Sequence, residues 1–272
     1  MSSQSELGFN RVQVGTVPFE ITSLPTAVDH VIATATAKRA IPYRLANAYC
    51  VAIASTDPQY RALLHGDGYN FPDGFPVVWT MRYLTKKDTR PGRVRGPSLF
   101  YAVLDKGHEK KLKHFFLGTT EETLQKLTSA VSERFPRAII AGTYAPNFGH
   151  LTEEFIETCS RAVKEANPDI VWVALGSPKQ DYAAAQLSLA TGLPCVGVGA
   201  AFDFLAGTAI EAPKWVQNSG MEWAFRLATD PKRLWKRYLI GNAQFLKSVL
   251  SDSKRNQQCF HKTDSSDGSK HQ

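Results

Sequence analysis

An alternation through the middle of the chain constrains its fold more than any other feature. Short, β-rich apolar runs at 114–118 (HFFLG), 138–144 (AIIAGTY), 169–176 (DIVWVALG) and 194–199 (PCVGVG) are separated by amphipathic segments at 121–135, 152–167 and 178–192. Brief continuous apolar runs suit strands buried on both faces, and the 3.6-residue periodicity of the intervening segments suits helices. Thr119 or Thr120 is placed to cap the first helix and Thr152 the second, each followed by acidic residues that favour a helix N-terminus. Strand starts recur every 24 to 31 residues, enough for one helix per connection, and such connections are right-handed crossovers. The expected fold class is therefore α/β: a Rossmann-like parallel sheet flanked by helices. Ligands of these sheets bind beyond the carboxyl ends of the strands. That places Gly118, Gly142 to Tyr144, Gly176 to Gln180 and Gly199 to Asp203 around one crevice.

The first 113 residues are less regular. A helix is expected at 27–39, one or two strands or a strand and a helix start at 43–55, and a helix at 56–66 with Pro58 near its first position. In the following FPDGFP, Pro72, Gly74 and Pro76 predict a tight loop with Asp73 as its only acid. Towards the C-terminus, Asp230 and Pro231 open a helix over 230–250. Leu234, Trp235, Tyr238, Leu239, Phe245, Leu246, Val249 and Leu250 share one side of it, opposite Lys232, Arg233, Lys236, Arg237 and Lys247. Trp235 and Leu239 are available to pack on the domain. Gly241 weakens the helix centre, and a polar tail from Ser251 is expected to be disordered. The domain reading is an α/β unit over 1–212, a basic membrane-associating appendage over 213–250 and a tail over 251–272.

Charge follows the same division. The chain carries 32 Lys/Arg and 25 Asp/Glu; from Lys214 onward there are eleven cations and five acids, so the body is nearly neutral and the C-terminal quarter basic. That asymmetry predicts an anionic partner: a phospholipid surface, a pyrophosphate or a nucleic acid. No run reaches the ~18 apolar residues of a membrane span and the start is polar, which predicts a cytosolic protein. Cys50, Cys159, Cys195 and Cys259 form no CxxC pair, which argues against a zinc knuckle or a disulfide framework.

Several residues have the chemistry of a site. Asp73, on a stiff loop near Phe71, Phe75 and Trp79, suits a general base with raised proton affinity; an ordinary turn aspartate is the plainer alternative. Asp203 in GVGAAFDFLAG could accept from a base or ribose, or cap a helix, and the partial GxGxxF pattern is weak support for a dinucleotide. ALGSPKQ sets a glycine turn, Lys179 and Gln180 at a helix start, where free N–H groups suit a phosphate, although a plain strand-to-helix turn reads the same way. Arg93, Arg95, Arg226, Arg233 and Arg237 could neutralise a pyrophosphate leaving group. The chain has no DxD triplet, so a transferase acting on a nucleotide sugar would rely on arginines and helix N-termini instead of a chelated metal.

In order along the chain, LANAYCVAIA, FPDGFPVVW, RVRGPSLF, FFLG, VWVALGSPKQD, VGVGAAFDFLAG and APKWVQNSGMEWAFRLATDPKRLWKRYL, spanning about 40–245, resemble the WecG/TagA/CpsF glycosyltransferases, glycosyltransferase family 26. The resemblance implies an inverting, metal-independent enzyme that needs no cofactor beyond its donor substrate. It would move a hexose or N-acetylhexosamine from a UDP donor to a polyprenyl-pyrophosphate-linked saccharide at the cytoplasmic face of the membrane, for exopolysaccharide, capsule or teichoic acid. By motif, Asp73 would be the catalytic base, Asn47 would place substrate and Arg93 would be the arginine of the R-x-x-G motif. Tyr144, Gln180 and Asp203 would line the UDP pocket, with Gly118, Gly176 and Lys179 beside them. Arg226, Arg233 and Arg237 would come from an appendage that closes on the site and touches the bilayer. Three positions depart from the family pattern: Leu45 replaces a threonine, Glu211 replaces an arginine beside the site and so disfavours a uronic acid donor, and Asp181 replaces a glutamate. The partners expected are the UDP-sugar, the lipid-linked glycan and an anionic membrane surface, with self-association a further possibility and no nucleic acid. Two other classes compete: a Rossmann-like epimerase or dehydrogenase of nucleotide sugars, for which a Tyr-x-x-x-Lys is missing at 143–147, and a non-catalytic binder of membrane or nucleic acid.

Overall fold

The computed structural model describes residues 8–85 and 89–264, leaving aside the side chains of Arg233 and 252–264. The chain opens on an antiparallel hairpin of β1 (Arg11–Val14) and β2 (Val17–Glu20). It continues through α1 (Leu24–Thr36), β3 (Pro42–Ala46), α2 (Ala48–Thr56), α3 (Pro58–His65), β4 (Tyr69–Pro72), α4 (Phe75–Leu84) and α5 (Gly96–Gly107). The regular alternation follows as β5 (Lys113–Gly118), α6 (Glu121–Arg134), β6 (Ile139–Tyr144), α7 (Glu153–Ala166), β7 (Ile170–Ala174), α8 (Lys179–Thr191) and β8 (Cys195–Gly197). Four further helices complete the described residues: α9 (Ala201–Leu205), α10 (Lys214–Ser219), α11 (Glu222–Thr229) and α12 (Pro231–Asp264).

Six strands of the described residues form one parallel sheet, the class that the alternation predicts, in the order β4-β3-β8-β7-β5-β6. The side-chain period of two sends alternate residues to opposite faces. On one face Tyr43, Leu45, Phe71, Phe116, Trp172 and Val196 pack beneath α1, α5, α6 and α9. On the other, Phe115, Leu117, Val171, Val173 and Cys195 pack against α7 and α8. The β3–β4 end of that second face is covered by α2, α3, α4, the β1–β2 hairpin and Phe245 of α12. Caps form where expected: Thr120 Oγ1 accepts from the Thr123 N–H at 3.2 Å and Thr152 Oγ1 from the Phe155 N–H at 3.1 Å.

The structure departs from expectation in three places. The segment expected as a loop at 71–76 is mostly regular, because β4 pairs with β3 as far as Pro72 and α4 starts at Phe75. Only Asp73 and Gly74 lie between them, and the reversal uses the left-handed φ of Gly74, +114°. Gly241 does not interrupt α12. It faces α2, where a Cβ would come within 3.2 Å of the Tyr49 ring, so its missing side chain permits the contact between the two helices. Finally, α12 runs on to Asp264, through the first part of the segment expected as a disordered tail. No glycine or proline interrupts the sequence between Gly241 and Gly268, and a polar composition alone does not end a helix. Residues 265–272 of that tail lie outside the described residues.

The apolar side of α12 is divided. Leu234, Phe245 and Ser248 are buried, whereas Trp235, Leu239, Leu246 and Leu250 are exposed, Leu239 to 71%. Leu239 and about half of Trp235 therefore stay clear of the domain: the face that docks on α2 is set by Leu234, Gly241 and Phe245, about a third of a turn away.

Candidate active site

The parallel register brings the ends of β3 and β4 level, with Ala46 opposite Pro72. The Asp73 N–H continues that ladder by donating to the Ala46 carbonyl at 2.8 Å, which sets Asp73 beside Asn47. Asn47 caps α2, its Oδ1 accepting from the Tyr49 N–H at 3.0 Å, so the amide oxygen is committed to the helix and the NH2 end is the group left to meet a ligand. Residues 91–95 are fastened alongside: Arg82 Nε donates to the Pro91 carbonyl at 3.0 Å and the Val94 N–H to the Pro72 carbonyl at 2.8 Å. Arg93 and Arg95, two residues apart on this extended stretch, both reach the C-terminal helices.

Arg93 donates from Nη1 to the Gln217 carbonyl at 2.8 Å and from Nη2 to Glu222 Oε2 at 2.7 Å, while its guanidinium lies 5.0 Å from the Phe75 ring centre. Arg95 donates from Nε to the same carboxylate at 2.9 and 3.2 Å and from Nη1 to Glu211 Oε1 at 2.5 Å. These guanidinia are nearly buried, with side-chain exposures of 12% and 6%. Burial raises the proton affinity of Asp73 above the usual aspartate range; Arg93 opposes this, Glu222 reinforces it, and Arg95 and Arg226 oppose it more weakly. Tyr238 of α12 faces the same group of charges, and its phenol is also pushed up, chiefly by burial. Among the described residues no hydrogen-bond donor reaches the Asp73 side chain.

The two remaining cations differ from Arg93 and Arg95. Arg226 sits 5.5 Å from the Phe204 ring and Arg237 4.5 Å from the Tyr49 ring, and neither has a carboxylate partner among the described residues. The side chain of Arg233 lies outside the described residues.

The other sequence-predicted residues gather at the neighbouring strand ends. Gly118 and Tyr144 end β5 and β6, and Gly176 turns between β7 and α8 with open space where a Cβ would point. Gln180 is buried and serves as a strut: Oε1 accepts from the Gly199 N–H at 3.0 Å and Nε2 donates to Ser177 Oγ at 3.3 Å, tying the loop after β7 to the loop after β8. Lys179 points towards α7, donating to the Gly149 carbonyl at 2.6 Å over the Phe155 ring. Asp203 lies on α9, where Thr208 bonds its carboxylate at 3.4 Å. The adjacent Phe204 joins this half to the first, because the guanidinia of both Arg95 and Arg226 lie 5.5 Å from its ring.

The departures from the family pattern take on structural meaning. Leu45 is buried in the core, so a hydroxyl contact to substrate has no counterpart there. Glu211 is paired with Arg95 and accepts from the Tyr101 hydroxyl at 3.4 Å, so much of its charge is met within the protein. Asp181 accepts from the Tyr60 hydroxyl at 2.7 Å and joins α8 to α3. Sequence reading missed Glu222 and Tyr238 as site residues. Glu222 had a signal, being the only acid between Lys214 and Thr229. Tyr238 had none, because it reads as part of an apolar helix face.

The family model for the glycosyl transferases of the WecG/TagA/CpsF family matches residues 12–259. Two similar proteins are the N-acetylglucosaminyldiphosphoundecaprenol N-acetyl-beta-D-mannosaminyltransferases of Bacillus spizizenii and Bacillus subtilis. The first is 29% identical over 80% of this chain and 82% of its own length, the second 29% identical over 76% and 78%. With a parallel sheet flanked by helices, a desolvated carboxylate at its carboxyl edge and a match across nearly the whole chain, this protein belongs to the WecG/TagA/CpsF family of glycosyl transferases.

Proposed function

We propose that the protein is an inverting, metal-independent transferase that moves a hexose or N-acetylhexosamine from a UDP donor to a polyprenyl-diphosphate-linked saccharide. The observation that carries this reading is Asp73, a desolvated carboxylate with raised proton affinity and guanidinium groups close by. A base so placed takes the proton of an acceptor hydroxyl as the oxygen attacks the anomeric carbon. The bond to the UDP oxygen breaks on the opposite face, which inverts the centre, and Asp73 is left protonated. Arg226 and Arg237, which no carboxylate neutralises among the described residues, meet the charge growing on the departing diphosphate. Asn47 orients the acceptor beside the base. The names of the two relatives specify an N-acetylglucosaminyl-diphosphoundecaprenol acceptor and an N-acetylmannosaminyl group, and these are the first substrates to try here.

The test is transfer from UDP-N-acetylmannosamine, UDP-glucose and UDP-glucuronic acid to a short-chain polyprenyl-diphosphate N-acetylglucosamine, each with and without EDTA. A single new lipid-linked disaccharide of inverted anomeric configuration, undiminished by EDTA, is the expected result. Retention of configuration, or loss of turnover with the chelator, would count against the displacement described. Thermal stabilisation by NAD and by no UDP compound would favour the dehydrogenase class.

No helix among the described residues is long and apolar enough to cross a membrane. We propose peripheral contact with the inner leaflet through α12, because exposed Trp235, Leu239, Leu246 and Leu250 form a stripe flanked by Lys232, Lys236 and Lys247. The paired substitution Trp235→Ser and Leu239→Ser should abolish sedimentation with phosphatidylglycerol vesicles. Undiminished sedimentation would reject this surface.

A further inference from the structure

Glu222 stands where three parts of the molecule meet. It comes from α11, and it touches both arginines of the stretch that runs beside β4: Oε2 takes Arg93 Nη2 at 2.7 Å, and Oε1 lies 2.9 Å from both Nε and Nη2 of Arg95. It is mostly enclosed, with 16% side-chain exposure, and its own proton affinity is lowered by Arg95 and Arg93 despite burial, so it is a fixed negative charge. Asp73 feels Arg93, Glu222, Arg95 and Arg226 from the neighbouring segment and α11, and it faces Tyr238 of α12.

We propose that Glu222 is a positioning residue for the transfer reaction: it occupies the donor fork of Arg93 and Arg95, and so keeps those guanidinia from pairing with Asp73. The reading rests on the transferase function proposed above. Its logic is competition between two carboxylates for one pair of cations. A planar guanidinium seeks a carboxylate as a two-point partner. With Glu222 neutral, Arg93 would keep only its bond to the Gln217 carbonyl, and Asp73 would be the nearby carboxylate without a hydrogen-bonded partner. An ion pair there would make Asp73 a weaker base and turn it away from the acceptor hydroxyl. Glu222 thus satisfies the buried arginines from a side chain that takes no proton from the substrate. It also ties the C-terminal helices to the carboxyl edge of the sheet, so the charge that protects the base comes with the segment that brings Arg226 and Tyr238.

The experiment compares wild type, Glu222→Gln and Glu222→Asp in full-length protein by transfer kinetics from pH 5 to 9, with melting temperature measured alongside. Turnover needs ionised Asp73, so kcat/KM rises through its titration on the acid side. Removing the Glu222 charge should move this rise to lower pH and cut the plateau kcat by roughly 10- to 100-fold, with KM for the UDP-sugar within about threefold. Glu222→Asp keeps the charge but retracts it by one methylene. It should leave the acid limb in place and lose roughly 3- to 10-fold in kcat, with a smaller fall in melting temperature than Glu222→Gln shows, which makes it the decisive variant if Glu222→Gln fails to fold. Wild-type kcat in Glu222→Asp, or an unmoved acid limb with wild-type kcat in Glu222→Gln, would overturn the proposal. So would a lower KM at constant kcat, the mark of a carboxylate that merely holds the place of the diphosphate. A wild-type protein that forms no lipid-linked product would overturn the transferase reading and this inference with it.

Discussion

Two groups of buried charges lie on either side of the β3–β4 ends, and they are resolved in opposite ways. Behind the sheet edge, Glu20 accepts from Arg11 at 2.7 Å and from the Asn70 N–H at 2.5 Å, Arg44 donates to Asn70 at 3.3 Å, and Asp181 accepts from Tyr60 at 2.7 Å. In front of it, Glu222 and Glu211 are likewise occupied by Arg93 and Arg95, but no donor among the described residues reaches Asp73. Burial raises the proton affinity of Asp73, Asp181 and Glu20 alike. A raised affinity alone therefore does not mark a catalytic base. What separates Asp73 is that Arg93 and Arg95 are held by other carboxylates and no donor among the described residues reaches it, which leaves it to react.

If that contrast is right, each group should fail in its own way. Replacing both Arg226 and Arg237 with alanine should lower kcat/KM by about 100- to 1,000-fold while leaving the melting temperature nearly unchanged, since neither cation pairs with a carboxylate among the described residues. A stability loss as large as the activity loss would place them with the structural group. Next in size is a pH effect from the rear cluster. Glu20 is held at about 7, above its ordinary 4.5, mainly by burial. The folded protein therefore binds this proton more tightly than the unfolded chain, and stability should fall as pH rises from about 4.5 to 7, by at most ~1.4 kcal/mol for each pH unit. Glu20→Gln should flatten urea stability across that window; an unchanged slope would remove Glu20 as its source. Smaller again, Tyr60→Phe takes the hydroxyl from Asp181 and should cost about 1–3 kcal/mol of stability with turnover within about twofold. A large loss of kcat there would mean that the rear network acts on the reaction. The smallest effect is expected at Leu239, 71% exposed, where serine should change stability in solution by less than about 0.5 kcal/mol.

The two halves of the chain also differ in how far they could be read from sequence. From β5 to β8 the strand and helix bounds agree with expectation to within a few residues, because buried parallel strands announce themselves as apolar runs and Thr120 and Thr152 punctuate the helices. The first 113 residues are harder. The four-residue strands β1, β2 and β4 are too short to show a period, and α4 and α5 start on Phe-Pro and Gly-Pro, where proline in a first turn resembles a loop. The exposed half of the apolar side of α12 was not legible either, since periodicity shows that a helix has an apolar side but not which part of it docks. At the site, Asp73, Asn47 and Arg93 came from motif resemblance, and the fold explains their meeting through the register of β3 with β4 and the fastening of 91–95 beside them. Glu222 lies 149 residues beyond Asp73 in the chain, and no local pattern reports a contact of that range.

The most direct measurement is steady-state transfer by Asp73→Asn, set against UDP binding followed by thermal shift. Loss of the base with the site otherwise intact should lower kcat by about 100- to 10,000-fold and leave UDP stabilisation close to wild type. Turnover near the wild-type rate would show that another group takes the proton, and the account of this site would fall with Asp73.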